Sequence, residues 1–237
     1  MRFISPCLTS VLMGQTEPRF YDPKHIQEDL FAAREPYRTA WDALGDLPEP
    51  NDLTGLKVGG KWGDLLPSIP EGQNYLWHAD RGGGQPLFGW RTRYWSFLLK
   101  LSKRLPSRTV QAQPGAAIGP FHWKSRRLTF REMCRIQTLP EGLAIDSGRT
   151  EMQRQLGNAV PSLISETLAR EIRAQLLDNP IKTKLKLLPP RRNSVSPPEE
   201  VVGLPPKYEK YIGENEAHPG EGKGRMARRR GEERSMA

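Results

Sequence analysis

From Val160 to Leu176 an apolar side chain returns at every fourth position: Val160, Ile164, Leu168, Ile172 and Leu176. Side chains so spaced run along one side of an α-helix. A helix with one oily side requires a surface to lay it on, which constrains everything the rest of the chain can build. The residues leading into it carry helix punctuation. Thr129 with Glu132 has the pattern of a capping box, in which the hydroxyl takes one free helix amide and the carboxylate reaches back. Thr150 with Gln153 repeats the pattern, Gly157-Asn158 marks a turn, and Pro161 suits a first helical position because its missing N–H is not needed there. Residues 126–172 therefore predict three helical pieces joined by turns.

The formal net charge is +9, unevenly spread. Between Arg81 and Arg135 there are twelve Lys or Arg against one acid, Glu132, so that window alone carries +11. A basic block of this kind attracts a phosphate backbone and makes binding depend on salt. A solvated basic face is the alternative; aromatic residues in or near the same window favour nucleic acid. Cys7 and Cys134 are the two cysteines. They make neither a disulfide framework nor a metal cluster and suit a reducing cytoplasm. No apolar run approaches membrane-spanning length, and the first residues lack the pattern of a secretory signal. His78 and His122 stand apart from other ligand types, so no metal site is expected.

Residues 1–36 read as an irregular lead-in. Thr39 to Gly45 reads as a short helix with Thr39 as its cap and Gly45 as its stop. Pro48 to Pro120 is loop-rich, and Tyr94 to Leu101 is the best strand-like run, although it fits one buried helix turn equally well. All six tryptophans lie between Trp41 and Trp123, enough aromatic mass for a small core under long loops. Residues 178–237 lack apolar periodicity and read as a mostly disordered, basic and Pro-rich tail.

Within the basic window, Arg91 and Arg93 alternate, so in a strand they would share one face. Arginine pairs with guanine O6 and N7 or with phosphate. Lys124, Arg126 and Arg127 enter the first capped helix as a second basic group. The Arg81-Gly-Gly-Gly-Gln-Pro stretch lacks the strand and helix that a dinucleotide loop requires, so it reads as flexible loop. Cys134 inside a capped helix reads as a small buried hydrophobe.

Two blocks carry a resemblance. RRLTFREMCRIQTLPEG, from Arg126, is similar to the penultimate signature of DNA cytosine-5 methyltransferases, and QRQLGNAVPSLISETLAREI, from Gln153, resembles their final one. TAWDALGDLP, from Thr39, resembles the segment that leads into the family's target-recognition region. Pro106 to Ala112 resembles a threonine-containing recognition loop, which makes Thr109 a candidate DNA contact. By the same resemblance, the turn at Asn158, Ala159 and Val160 would touch S-adenosylmethionine.

The resemblance implies an α+β architecture: a small loop-rich target-recognition region over 37–128, then closing helical motifs over 129–177. Those helices would pack on a Rossmann-like methyltransferase domain. The implied activity is methyl transfer from S-adenosylmethionine to C5 of cytosine in double-stranded DNA, in a bacterial or phage cytoplasm at the nucleoid, with a restriction partner by family association. Such chemistry needs a thiolate from a Pro-Cys pair and an acid from a later Glu-Asn-Val block. Pro6-Cys7 has too few residues before it for the cofactor loop, and no Glu-Asn-Val follows. The expectation is a C-terminal portion or split subunit, inactive without a separate catalytic chain. The alternatives are a non-catalytic DNA-binding remnant and a fragment left by a misplaced start.

Overall fold

The computed structural model describes residues 36–89, 94–177 and 179–213. Among these are four α-helices: α1 (Ala40–Leu44), α2 (Phe130–Ile136), α3 (Arg149–Asn158) and α4 (Ser162–Leu176). Shorter 3-10 turns occupy Gly63–Ser68, Tyr75–His78 and Pro206–Tyr211. Strand content is small. Isolated bridges join Ala79 to Phe88, Phe97 to Ile118 and Lys100 to Phe121. The β part of the expected α+β fold is thus reduced to bridges in a helical and loop-built body. Residues 94–101 form neither a regular strand nor a helix turn, because Tyr94 and Leu98 take positive φ angles of 65° and 51° and bend the run twice.

Both short helices start where the sequence places them. Thr39 Oγ1 accepts from Asp42 N while Asp42 returns a carboxylate oxygen to Thr39 N at 2.8 Å. Thr129 and Glu132 repeat the exchange at α2, with Thr129 N donating to Glu132 Oε2 at 2.7 Å. The expected box at Thr150 is corrected. Helix α3 starts at Arg149 behind Gly148, with no side-chain cap. Gln153 is occupied elsewhere, donating to Gln111 O at 2.6 Å. Pro161 is the residue before α4 rather than its first.

Two apolar cores hold the body together. One gathers Leu65, Leu66, Ile69, Tyr75, Leu98 and Phe121 beneath the loops. The other joins Ala40, Leu44, Leu101, Val110 and Trp123 to Met133, Cys134 and Leu156. The expected boundary between 128 and 129 falls inside this second core, so α2 and α3 close the loop-rich part instead of leaving it. Segments 99–101 and 121–123 run between the cores, with Leu101 N donating to Phe121 O and Phe121 N to Leu99 O, both at 2.8 Å.

The expectation of a mostly disordered tail is corrected for 179–213, which lies back across the body as a strap. Arg192 N donates to Asp42 Oδ1 at 2.8 Å and Trp41 Nε1 to Ser194 O at 2.7 Å. Lys103 Nζ, fully buried, binds Pro197 O at 2.6 Å, Glu199 at 2.7 Å and Glu71 at 3.2 Å. Tyr208 is buried in the first core, stacked on Trp62 with its hydroxyl donating to Lys61 O. Backbone-to-side-chain bonds and one aromatic anchor leave no apolar period to read. Residues 214–237 lie outside the described residues.

Helix α4 buries none of its residues. Val160 is 62% exposed, Leu168 57%, Ile172 53% and Leu176 75%, so the oily stripe faces outward except at half-buried Ile164. The helix is held by its ends and its polar flank. Leu163 N donates to Thr138 Oγ1 at 2.9 Å, and Glu166 accepts from Lys186 N and Leu187 N at 2.7 and 2.9 Å.

Candidate nucleic-acid interface and closing turn

Glu132 sits at the centre of the site because it belongs to a cap and to an ion pair at once. Its carboxylate accepts from Arg126 Nη2 at 2.7 Å and Arg126 Nη1 at 2.9 Å, in the parallel fork geometry that arginine favours. His122 Nε2 lies 3.6 Å from Glu132 Oε1, the oxygen that Arg126 Nη2 also binds. Burial works to raise the Glu132 pKa, but the Arg126 hydrogen bonds and neighbouring charge hold it below the ordinary value. Burial lowers the His122 pKa to about 4; Glu132 and Glu49 oppose that shift, while Arg126 and Lys124 add to it.

This knot separates the expected DNA contacts. Arg126 is buried and committed to Glu132. Lys124 is exposed and lies 2.8 Å from Glu49, a surface pair that water weakens. Arg127 is half-buried, with Nη2 donating to Ala116 O at 3.2 Å. Thr109 is exposed on the 106–112 loop. Arg91 and Arg93 lie outside the described residues. Other members of the basic window are internal as well: Lys100 and Lys103 are buried. Burial lowers the Lys100 pKa to about 8, against the pull of Glu71 and Glu199.

Helix α3 brings the loop bearing Thr109 and the turn bearing Asn158 together. Gly157 passes so close to Ala112 that any Cβ there would strike the Ala112 backbone. Gln153 bonds the Gln111 carbonyl, and Gln137 Nε2 donates to Leu156 O at 2.9 Å from the end of α2. Asn158 and Val160 are exposed beyond this contact and Ala159 is half-buried, so the turn presents an open edge.

Sequence reading missed these roles of Arg149, Gln153 and Gln137: Gln137 and Gln153 lie inside the two resembling blocks and Arg149 between them, but their partners are backbone carbonyls distant in sequence. The glycines after Arg81 serve packing. A Cβ at Gly83 would collide with the Trp77 ring and one at Gly82 with the Trp77 carbonyl, so the stretch wraps that indole closely. Cys134 is buried, and burial followed by nearby Glu141 raises its pKa, which disfavours a thiolate. Among the described residues no His, Cys, Asp or Glu group could hold a metal ion, and no helix is long and apolar enough to cross a membrane.

Residues 76–174, which hold α2, α3, the 106–112 loop and the Glu132–Arg126 pair, match the family model of the C-5 cytosine-specific DNA methylases. The chain is 42% identical over 151 residues to Type II methyltransferase M.SacI of Streptomyces achromogenes, covering 60% of this chain and 38% of that protein. It is 32% identical over 157 residues to M.NgoFVII of Neisseria gonorrhoeae, covering 64% of this chain and 40% of the relative. M.BbvI of Brevibacillus brevis is also 32% identical, over 54% of this chain and 34% of its own length. The chain thus spans about two fifths of the length of the first two relatives and a third of the other. No solved structure matches. The capped α2, the Gly157-Asn158 turn and α4 as far as residue 174 lie inside the matched segment, so this part of the chain carries the similarity to the C-5 cytosine-specific DNA methylases.

Proposed function

We propose that residues 37–177 are the target-recognition and closing part of a DNA cytosine-5 methyltransferase. They read duplex DNA and complete one edge of the S-adenosylmethionine site. The observation that carries the reading is the close seating of α3 on the 106–112 loop through Gly157 and Gln153. It sets a loop that would read DNA beside a turn that would touch the methyl donor. Asn158, Ala159 and Val160 would hold the cofactor, which supplies the transferable methyl group when bound. Thr109, Lys124 and Arg127, together with Arg91 and Arg93, would face DNA. Arg126 is left out because its guanidinium is engaged in the protein's interior.

As the C-terminal portion or split subunit of such an enzyme, the chain takes its nucleophile and acid from a catalytic domain seated on the outward stripe of α4. Cys134 is unsuited to the attack because its thiol is enclosed and held protonated. Each exposed stripe residue forgoes about 1.5–3 kcal/mol of burial, which a catalytic domain would recover. The test is methyl transfer from labelled S-adenosylmethionine to duplex DNA, by this chain alone and with a cytosine-5 catalytic polypeptide added. Transfer is expected only with the added polypeptide. Transfer by the chain alone would refute the split-subunit reading, and no transfer in either case would favour a DNA-binding remnant.

A further inference from the structure

A pocket lies between the 110–121 loop, α2 and the start of α3, with Val110, Ile118, Leu128 and Gln153 among its walls and two guanidinium groups, Arg127 and Arg149, lining it. Both arginines are half-buried. Each donates to a backbone carbonyl, Arg127 to Ala116 O at 3.2 Å and Arg149 to Leu128 O at 2.8 Å. Among the described residues neither is paired with a carboxylate. Glu132, the acid whose field reaches Arg149, is already forked by Arg126. Arg127 Nε is enclosed and has no hydrogen-bond partner, which is uncommon for a buried donor. Burial first, and the Arg127 charge second, lower the Arg149 pKa, so the two cations act on each other.

Holding like charges together inside a half-apolar pocket is costly until an anion arrives. Helix α3 contributes Arg149 and Gln153 to the pocket wall, and its start has no side-chain cap. Planar, permanently charged guanidiniums suit an oxyanion that takes several hydrogen bonds. The neighbouring loop carries exposed Thr109. We infer that Arg127 and Arg149 together clamp one backbone phosphate of duplex DNA where the 106–112 loop meets α3. The assignment of DNA as the source of the phosphate rests on the function proposed above.

The experiment uses the full chain, its Arg149→Gln and Arg149→Lys variants, and the double variant Arg127→Gln/Arg149→Gln. Binding of a fluorescent duplex across a salt series reads the DNA contact, and the rise in Tm with inorganic phosphate reads the anion site alone. Arg149→Gln should weaken duplex binding about tenfold and lower the salt slope by about one. Arg149→Lys should keep most of the slope, and the double variant should lose the phosphate-dependent rise in Tm. Near-UV circular dichroism and the Tm without phosphate identify a variant that fails to fold, in which case Arg127→Gln alone, also expected to lower the slope by about one, decides. An unchanged slope in folded Arg149→Gln, or a phosphate response intact in the double variant, overturns the clamp. If wild type binds no duplex while phosphate still raises its Tm through these arginines, the anion site stands and DNA as its ligand falls.

Discussion

Glu132 accepts from the Arg126 fork and the Thr129 amide, with His122 beside it, so one carboxylate ties the 122–129 turn to the start of α2. Glu132→Gln leaves the buried Arg126 guanidinium with only the half-exposed Glu49 carboxylate at 3.6 Å and should cost about 3 kcal/mol, read as a fall in urea midpoint. Thr129→Ala removes only the cap and should cost about 1 kcal/mol. The pH dependence follows from the same knot. Folding lowers the His122 pKa from 6.5 to about 4. The stability tied to neutral His122 is therefore full above 6.5 and is lost as pH falls through about 4. Glu132, also lowered, loses its contribution on further acidification. A urea midpoint that declines between pH 6.5 and 4 in wild type, and declines less in His122→Asn, is the expected result; equal declines would remove His122 from the account. Arg126 and Arg127 show what sequence alone cannot sort. They are adjacent and chemically identical, and which one faces inward is decided by a Glu132 presented by a helix start.

Helices α1 and α2 were legible in the sequence because their start signals, the Thr39 cap and the Thr129–Glu132 capping box, are local. The start of α3 was not. Thr150 and Gln153 have the right spacing, but Gln153 serves a loop carbonyl 42 residues away. The strap was hidden for the same reason: its bonds to Asp42, Trp41 and Lys103 span roughly ninety to a hundred and fifty positions. The seating of α3 should be the least tolerant of these contacts. Gly157→Ala drives a methyl group into the Ala112 backbone. It should destabilise by about 1–3 kcal/mol and weaken duplex binding by displacing the 106–112 loop. Normal stability and normal binding in Gly157→Ala would show that loop and helix move freely. Tyr208→Ala should cost about 3 kcal/mol, because it empties a buried ring position in the first core.

Over the whole molecule, charge and apolar surface point different ways. The basic window suggested a face far more cationic than the one that forms, because Lys100, Lys103 and Arg126 are internal. The outward stripe on α4 makes the opposite case, since its period forecast an oily side and the structure leaves that side exposed. Leu168→Ser with Ile172→Ser should shift the stability of the isolated chain by no more than about 0.5 kcal/mol, while abolishing methyl transfer with the catalytic polypeptide. A large loss of stability in the isolated chain would mean that the stripe already has a partner within it.

The strap touches both cores, at Arg192 beside α1 and at Tyr208 under the loops. A protease nick in the 180–186 stretch, where all but one residue is exposed, should therefore fail to separate the pieces. The severed C-terminal fragment would stay seated like a clasp and co-elute with the body until denaturant loosens both lobes in one transition.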